Sequence, residues 1–90
     1  MSEGEIVEKL QAEGYSNVYV YDAEPNEIDE EHIHDFDTHL DIISGEIFVK
    51  LLTGSTSEEF TLGAADSLDI QAGVRHFAQV SGGGCRYIVA

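Results

Sequence analysis

The stretch EEHIHDFDTH, residues 30–39, carries three of the chain's four histidines, two of them as the pair His32-x-His34; the fourth is His76. In an extended strand alternate side chains share a face, so His32 and His34 would project together with about 6.5–7 Å between their Cα atoms. That spacing suits two imidazoles converging on one ion at about 2.1 Å, the arrangement on which histidine sites for zinc, iron, nickel and manganese are built. An exposed His-x-His pair with no ligand role is the alternative reading of the pair alone. His76 favours chelation. It follows QAGVR, a turn in which Gly73 can adopt positive φ, and opens a later strand, so a third imidazole belongs to the same small sheet structure. Because ligation needs neutral imidazole, such a site should lose metal as pH falls through about 6.5.

Elements must hold these side chains in place. The 90 residues suit one domain, 1–90, with a core so small that a dimer or a bound metal is an expected source of extra stability. Ser2 and Glu5 form a capping-box pattern, Ile6, Val7 and Leu10 fall on one helical face, and Gly14 supplies a stop. This predicts one short helix over Ser2–Glu13, within residues 1–14. From Val18 onward, short segments rich in Val, Ile, Tyr, Phe and Thr alternate with turn residues. They predict strands near Val18–Asp22, Glu31–Asp35, Thr38–Ile43, Glu46–Leu52, Glu58–Leu62, Ser67–Ile70, Arg75–Val80 and Arg86–Val89. Ser44-Gly45 and Ser81–Gly84 are read as turns between strands. Eight strands over residues 18–90 with no helix among them point to an all-β antiparallel sandwich or barrel, with the helix packed outside. Tyr19, Tyr21, Phe48, Phe60, Phe77 and Tyr87 are expected to fill its interior.

Eighteen acidic residues against four Lys plus Arg give a net charge of -14, which argues against nucleic acid or an anionic membrane surface as partner. The acids concentrate in the first half of the chain and approach the histidines, where a negative field favours cations. No apolar run reaches the roughly 20 residues of a membrane helix, and no signal-peptide pattern opens the sequence. With Cys85 as its one cysteine, the chain is expected to be cytoplasmic, and Cys85 to be a small sheet residue. No nucleophile elbow is present. The run Gly82–Gly84 precedes a strand and so does not read as a phosphate loop. Arg75 is expected to pair with an acid on the surface.

HIHDFDTHLDIISGE resembles the first motif of the cupins: His-x-His, a short spacer, a glutamate, six residues and a glycine. GAADSLDIQAGVRHFAQV resembles their second: a glycine, five residues, Pro-x-Gly, two residues and a histidine. Gly45 and Gly73 fall in register with the motif glycines, and His32, His34 and His76 with three metal-binding histidines. The resemblance covers residues 18–90. It implies a double-stranded β-helix, or jelly-roll barrel, a divalent metal held by His32, His34 and His76, a small-molecule ligand and a homodimer. The sequence departs from the pattern at Thr38, which stands where the glutamate would be, and at Gln71 in place of the proline. Asp37 and His39 flank Thr38, but strict alternation sends both to the opposite face, and only a bulge would reverse that. His39 is therefore expected on the outside.

Two functions follow from this reading. One is a small metal-binding cupin whose open coordination positions take a small organic molecule, with the metal as Lewis acid or oxygen-activating centre if it is an enzyme. The other is a non-catalytic binding or sensing module in which the barrel pocket captures a small molecule, with or without metal. The sequence offers no inward-facing acid once the motif glutamate is lost, which weighs towards the second.

Overall fold

The computed structural model describes residues 2–90. Helix α1 spans Glu3–Ala12, and its start is the expected capping box: the Glu5 amide donates to Ser2 Oγ (3.2 Å) and the Ser2 amide to Glu5 Oε1 (3.1 Å). Six strands follow: β1 Tyr19–Ala23, β2 Ile28–Ile33, β3 Thr38–Thr53, β4 Thr56–Leu62, β5 Ser67–Ile70 and β6 Arg75–Val89. No helix among the described residues is long and apolar enough to cross a membrane.

All pairings are antiparallel, and the two long strands organise them. β3 and β6 run side by side from Leu40↔Val89 to Leu52↔Arg75. The free edge of β6 takes β1 along Ala23↔Cys85 to Tyr19↔Val89 and β2 along Ile28↔Gln79 to Ile33↔Arg75. The free edge of β3 takes β5 along Thr38↔Ile70 to Asp41↔Ser67 and β4 along Ile47↔Leu62 to Thr53↔Thr56. Two layers result, β1–β6–β3–β5 and β2–β6–β3–β4, with β3 and β6 passing through both. Ala23, Leu40, Ile42, Cys85 and Tyr87 from the first layer and Ile47, Val49, Leu62, Ala78 and Val80 from the second form one buried cluster. This is the expected antiparallel β architecture with one short helix.

Passing from one layer to the other reverses which alternate residues face inward. On β3 the inward set changes from Leu40 and Ile42 to Ile47 and Val49, and on β6 from Ala78 and Val80 to Cys85 and Tyr87. The ladder shifts register between Ile42 and Ser44 and again between Gly45 and Ile47 to allow it. Gly45 is required there. Its φ is 80°, and a Cβ would run into the carbonyl oxygen of Gly84.

The eight predicted strands thus correspond to eight paired segments, but four of them merge into two. Ser44-Gly45 and Ser81–Gly84 are bends within β3 and β6 rather than turns between strands, because the neighbouring strand pairs on both sides of each bend. β2 also begins and ends earlier than the predicted Glu31–Asp35. Of the aromatics expected inside, Tyr87 is buried, but Tyr19 and Tyr21 on edge strand β1 are 55% and 39% exposed. Phe48 and Phe77 alternate with the buried Val49 and Ala78 and lie on the outer side of the second layer, their rings 6.5 Å apart.

Helix α1 covers the outer side of the first layer. Arg86 ties it down, donating from Nε to Glu3 Oε1 (2.7 Å), from Nη2 to Glu3 Oε2 (3.1 Å) and from Nη1 to Asp22. Leu10 and Ile88 are buried outside the main cluster. Burial of a side chain such as Ile88 contributes roughly 1.5–3 kcal/mol, more than the half-exposed ion pairs around it.

Candidate metal centre

β2 and β6 bring the histidines together. His32 stands directly opposite His76 in the ladder, and their ring centroids are 4.1 Å apart. His34 lies one residue past the end of β2, 4.6 Å from the ring of His32 and 4.8 Å from that of His76. The segment holding it is laced to the turn before β6: the Gly73 amide donates to the His34 carbonyl (2.9 Å) and the Ala72 amide to Asp37 Oδ1 (2.8 Å). Phe36 stacks on the His34 ring at 4.7 Å and 10°. One ligand nitrogen from each of the three imidazoles lies within 4.8 Å of the other two.

Backbone carbonyls orient two of the rings. His32 Nδ1 lies 2.6 Å from the Glu30 carbonyl oxygen and His76 Nδ1 3.2 Å from that of Val74. A carbonyl only accepts, so Nδ1 carries a proton in both, and in the neutral ring it is Nε2 that has the free lone pair needed for ligation. His76 is 5% exposed. Its burial, reinforced by the neighbouring His32 and His34, holds its pKa below the ordinary histidine value, which favours the neutral ring.

Thr38 faces inward as expected, and its hydroxyl makes a long contact, 3.5 Å, with His34 Nδ1. At that place it can accept from the imidazole of His34 and hold the ring's orientation, a role of outer partners in histidine metal sites. The histidines and Thr38 line a cavity of about 130 Å³ with Tyr19, Leu40, Val49, Ile70 and Tyr87 among its walls. A divalent ion fits this donor set. Three imidazole nitrogens suit zinc, iron, nickel or manganese and leave coordination positions open.

His39 and Asp37 are not in the cluster. His39 points to the outer side, as alternation predicts, but it is no bare surface residue. Its Nδ1 lies 2.7 Å from Asp69 Oδ1 and its Nε2 2.9 Å from Asp41 Oδ2, with the Tyr15 ring 5.8 Å away. Burial alone would lower its pKa; the hydrogen bonds to Asp69 and Asp41 outweigh that and raise it. A larger cleft of about 670 Å³ opens here, between α1 and the sheet, lined by Leu10, Tyr15, His39, Asp41 and Asp69. It is the roomier cavity, but the three convergent imidazoles are in the smaller one.

Sequence reasoning missed Asp29. It lines the histidine cavity, the sole acid to do so. Between Asp29 and His32 the ladder shifts register, three steps on β2 matching two on β6, from Asp29↔Ala78 to His32↔His76. Strict alternation would put Asp29 and His32 on opposite faces; the bulge puts them on the same one. The signal was the five-residue spacing of Ile28 and Ile33, which can share the outer face only if one residue is extra between them.

No protein-family model and no curated protein matches the chain. Solved structures do. Oxalate decarboxylase of Bacillus subtilis superposes with a TM-score of 0.74 at 20% identity, over 80% of this chain and 19% of that one. A formate complex of Lactobacillus farciminis oxalate decarboxylase gives 0.73 at 23%, over 80% and 22%. The cupin domain of Drosophila melanogaster CENP-C gives 0.72 at 16%, over 80% and 57%. The fold is a cupin fold. The chain spans about a fifth of the length of the oxalate decarboxylases and somewhat over half of the CENP-C chain. In this fold the bends at Gly45 and Ser81–Gly84 carry each long strand across the two layers, and β2, the residues just after it and the start of β6 supply the histidines.

Proposed function

We propose that this cupin binds a divalent metal ion through His32, His34 and His76 and offers the ion's remaining positions to a small organic molecule. The observation that carries the reading is the convergence of three ligand nitrogens, mutually within 4.8 Å, at one small cavity. A bound ion would supply Lewis-acid polarisation or oxygen activation there. The chain's own residues orient and restrict: Glu30 and Val74 carbonyls fix two ring tautomers, Thr38 steadies His34, and the apolar walls exclude bulky ligands. A cavity of about 130 Å³ is well below the roughly 300–1,000 Å³ of drug-sized pockets, so the ligand class is a molecule of few heavy atoms. The Bacillus subtilis oxalate decarboxylase has Mn(II) centres and the Lactobacillus farciminis enzyme is described as a formate complex, which agrees in scale.

The test is elemental analysis of tag-free protein beside a variant with His32→Ala, His34→Ala and His76→Ala. Metal near one ion per chain in the first and none in the second is the expected result; equal contents would overturn the site.

A second reading is a binding module without catalysis. CENP-C, a structural neighbour, is described bound to CAL1, so this fold also occurs in a protein complex. The outer side of the second layer favours a second copy of this chain as partner: Ile28 and Ile33 are 48% and 51% exposed there, beside Phe48 and Phe77. Arg75 pairs with Glu31 on β2, and Lys50 stands opposite Glu59, so charge on that side is balanced while the chain as a whole is at -14. Two acidic copies meet there with least repulsion. Light scattering at two salt concentrations reads the mass; a monomer at millimolar protein would rule out the second copy as its partner.

A further inference from the structure

We propose that Asp29 supplies a carboxylate ligand to the ion held by the three histidines, closing the centre from the cavity mouth. This rests on the metal reading above and adds an oxygen donor to it. Three imidazoles are neutral ligands, so a dication among them leaves two positive charges in a small, partly buried cavity, and such charge is costly unless an anion faces it. Asp29 is the single acid lining that cavity. The bulge in β2 fixes its direction. Opposite Asp29 in the ladder is Ala78, 8% exposed and part of the buried cluster, so the Asp29 side chain leaves the strand on the inner side, as His32 does opposite His76.

Asp29 is exposed, whereas His76 is buried. The carboxylate therefore sits on the solvent side of the histidines. Its oxygens lie outside the group of nitrogens that are mutually within 4.8 Å. An exposed aspartate turns between rotamers in picoseconds to nanoseconds, so binding requires only that the ion select the rotamer that meets it.

The probes are Mn(II) and Co(II) alone, titrated into the whole chain by calorimetry, with the visible spectrum of the Co(II) form as a second readout. Asp29→Asn should weaken both ions by at least about tenfold, the lower end of what supporting residues contribute, and change the Co(II) spectrum. Asp29→Glu should recover much of the affinity. Asp35→Asn removes an exposed acid beside His34 that does not line the cavity, and should change affinity less than about twofold. Circular dichroism checks that each variant folds. If Asp29→Asn binds like the unaltered chain while His76→Ala loses the ion, Asp29 is not a ligand and the histidine site stands. Equal losses in Asp29→Asn and Asp35→Asn would also overturn the inference, because a general field would explain both. If His76→Ala binds normally, the metal reading itself fails.

Discussion

His32 and His76 occupy opposite positions of one antiparallel ladder, ring centroids 4.1 Å apart, one half-buried and the other buried. The pairing fixes the separation of the two Cα atoms, so the backbone holds both rings within reach of a common ion. His76→Ala should therefore lower divalent-ion affinity by at least about 100-fold, above the range of supporting residues. The unaltered chain at a metal concentration 100 times Kd should gain about 2.7 kcal/mol of unfolding free energy, and His76→Ala should not. Denaturant unfolding with and without metal reads both.

Thr38 supports His34 across a long contact of 3.5 Å. Thr38→Val keeps the shape and removes the hydroxyl. Metal affinity should fall about tenfold, while unfolding free energy changes by less than about 1.5 kcal/mol, since one weak hydrogen bond is lost. Calorimetric titration beside urea denaturation separates the two effects.

Of the glycines, Gly45 leaves the least room for a side chain against another strand's backbone. In Gly45→Ala the residue must hold φ near 80° and its methyl meets the Gly84 carbonyl. A destabilisation of about 2–4 kcal/mol is expected in urea, against well under about 1 kcal/mol for Gly83→Ala, whose Cβ meets nothing within 4 Å.

The Asp69–His39–Asp41 group gives a pH dependence whose sign is set by its raised pKa. A histidine that holds its proton more tightly when folded contributes stability that is complete below the unfolded value of 6.5 and is lost as pH rises through the folded value. Tyr15, Asp41 and Asp69 are the groups facing it. His39→Gln should therefore be less stable than the unaltered chain at pH 5.5 and differ from it less at pH 9, measured by urea denaturation at both.

Much of this was written locally in the sequence. Ser2, Glu5 and Gly14 mark the helix, and the alternation around His32, Leu40, Val49 and Ala78 marks inward faces. The cupin motif positions pick out the three histidines that converge. What local pattern could not reveal depends on pairing. Tyr19 and Tyr21 look like core residues until β1 proves to be an edge strand. Ser44-Gly45 looks like a turn until β6 continues beside it. Asp29 looks like one more acid in a solvated run until a bulge between it and His32 aims it inward. A bulge is a property of two strands, and one strand's sequence gives only its faint trace, here the spacing of Ile28 and Ile33.

β6 is hydrogen-bonded to β1, β2 and β3, and every one of those partners precedes it in the chain. On a ribosome the first three-quarters of the fold would wait with open edges, and His32 and His34 would have no third companion until Arg75–Val89 had emerged and threaded between them and β3. On the metal reading, acquisition of an ion would thereby be a late event in the life of the molecule, and the acidic first half would keep the waiting chain apart from its copies in the meantime.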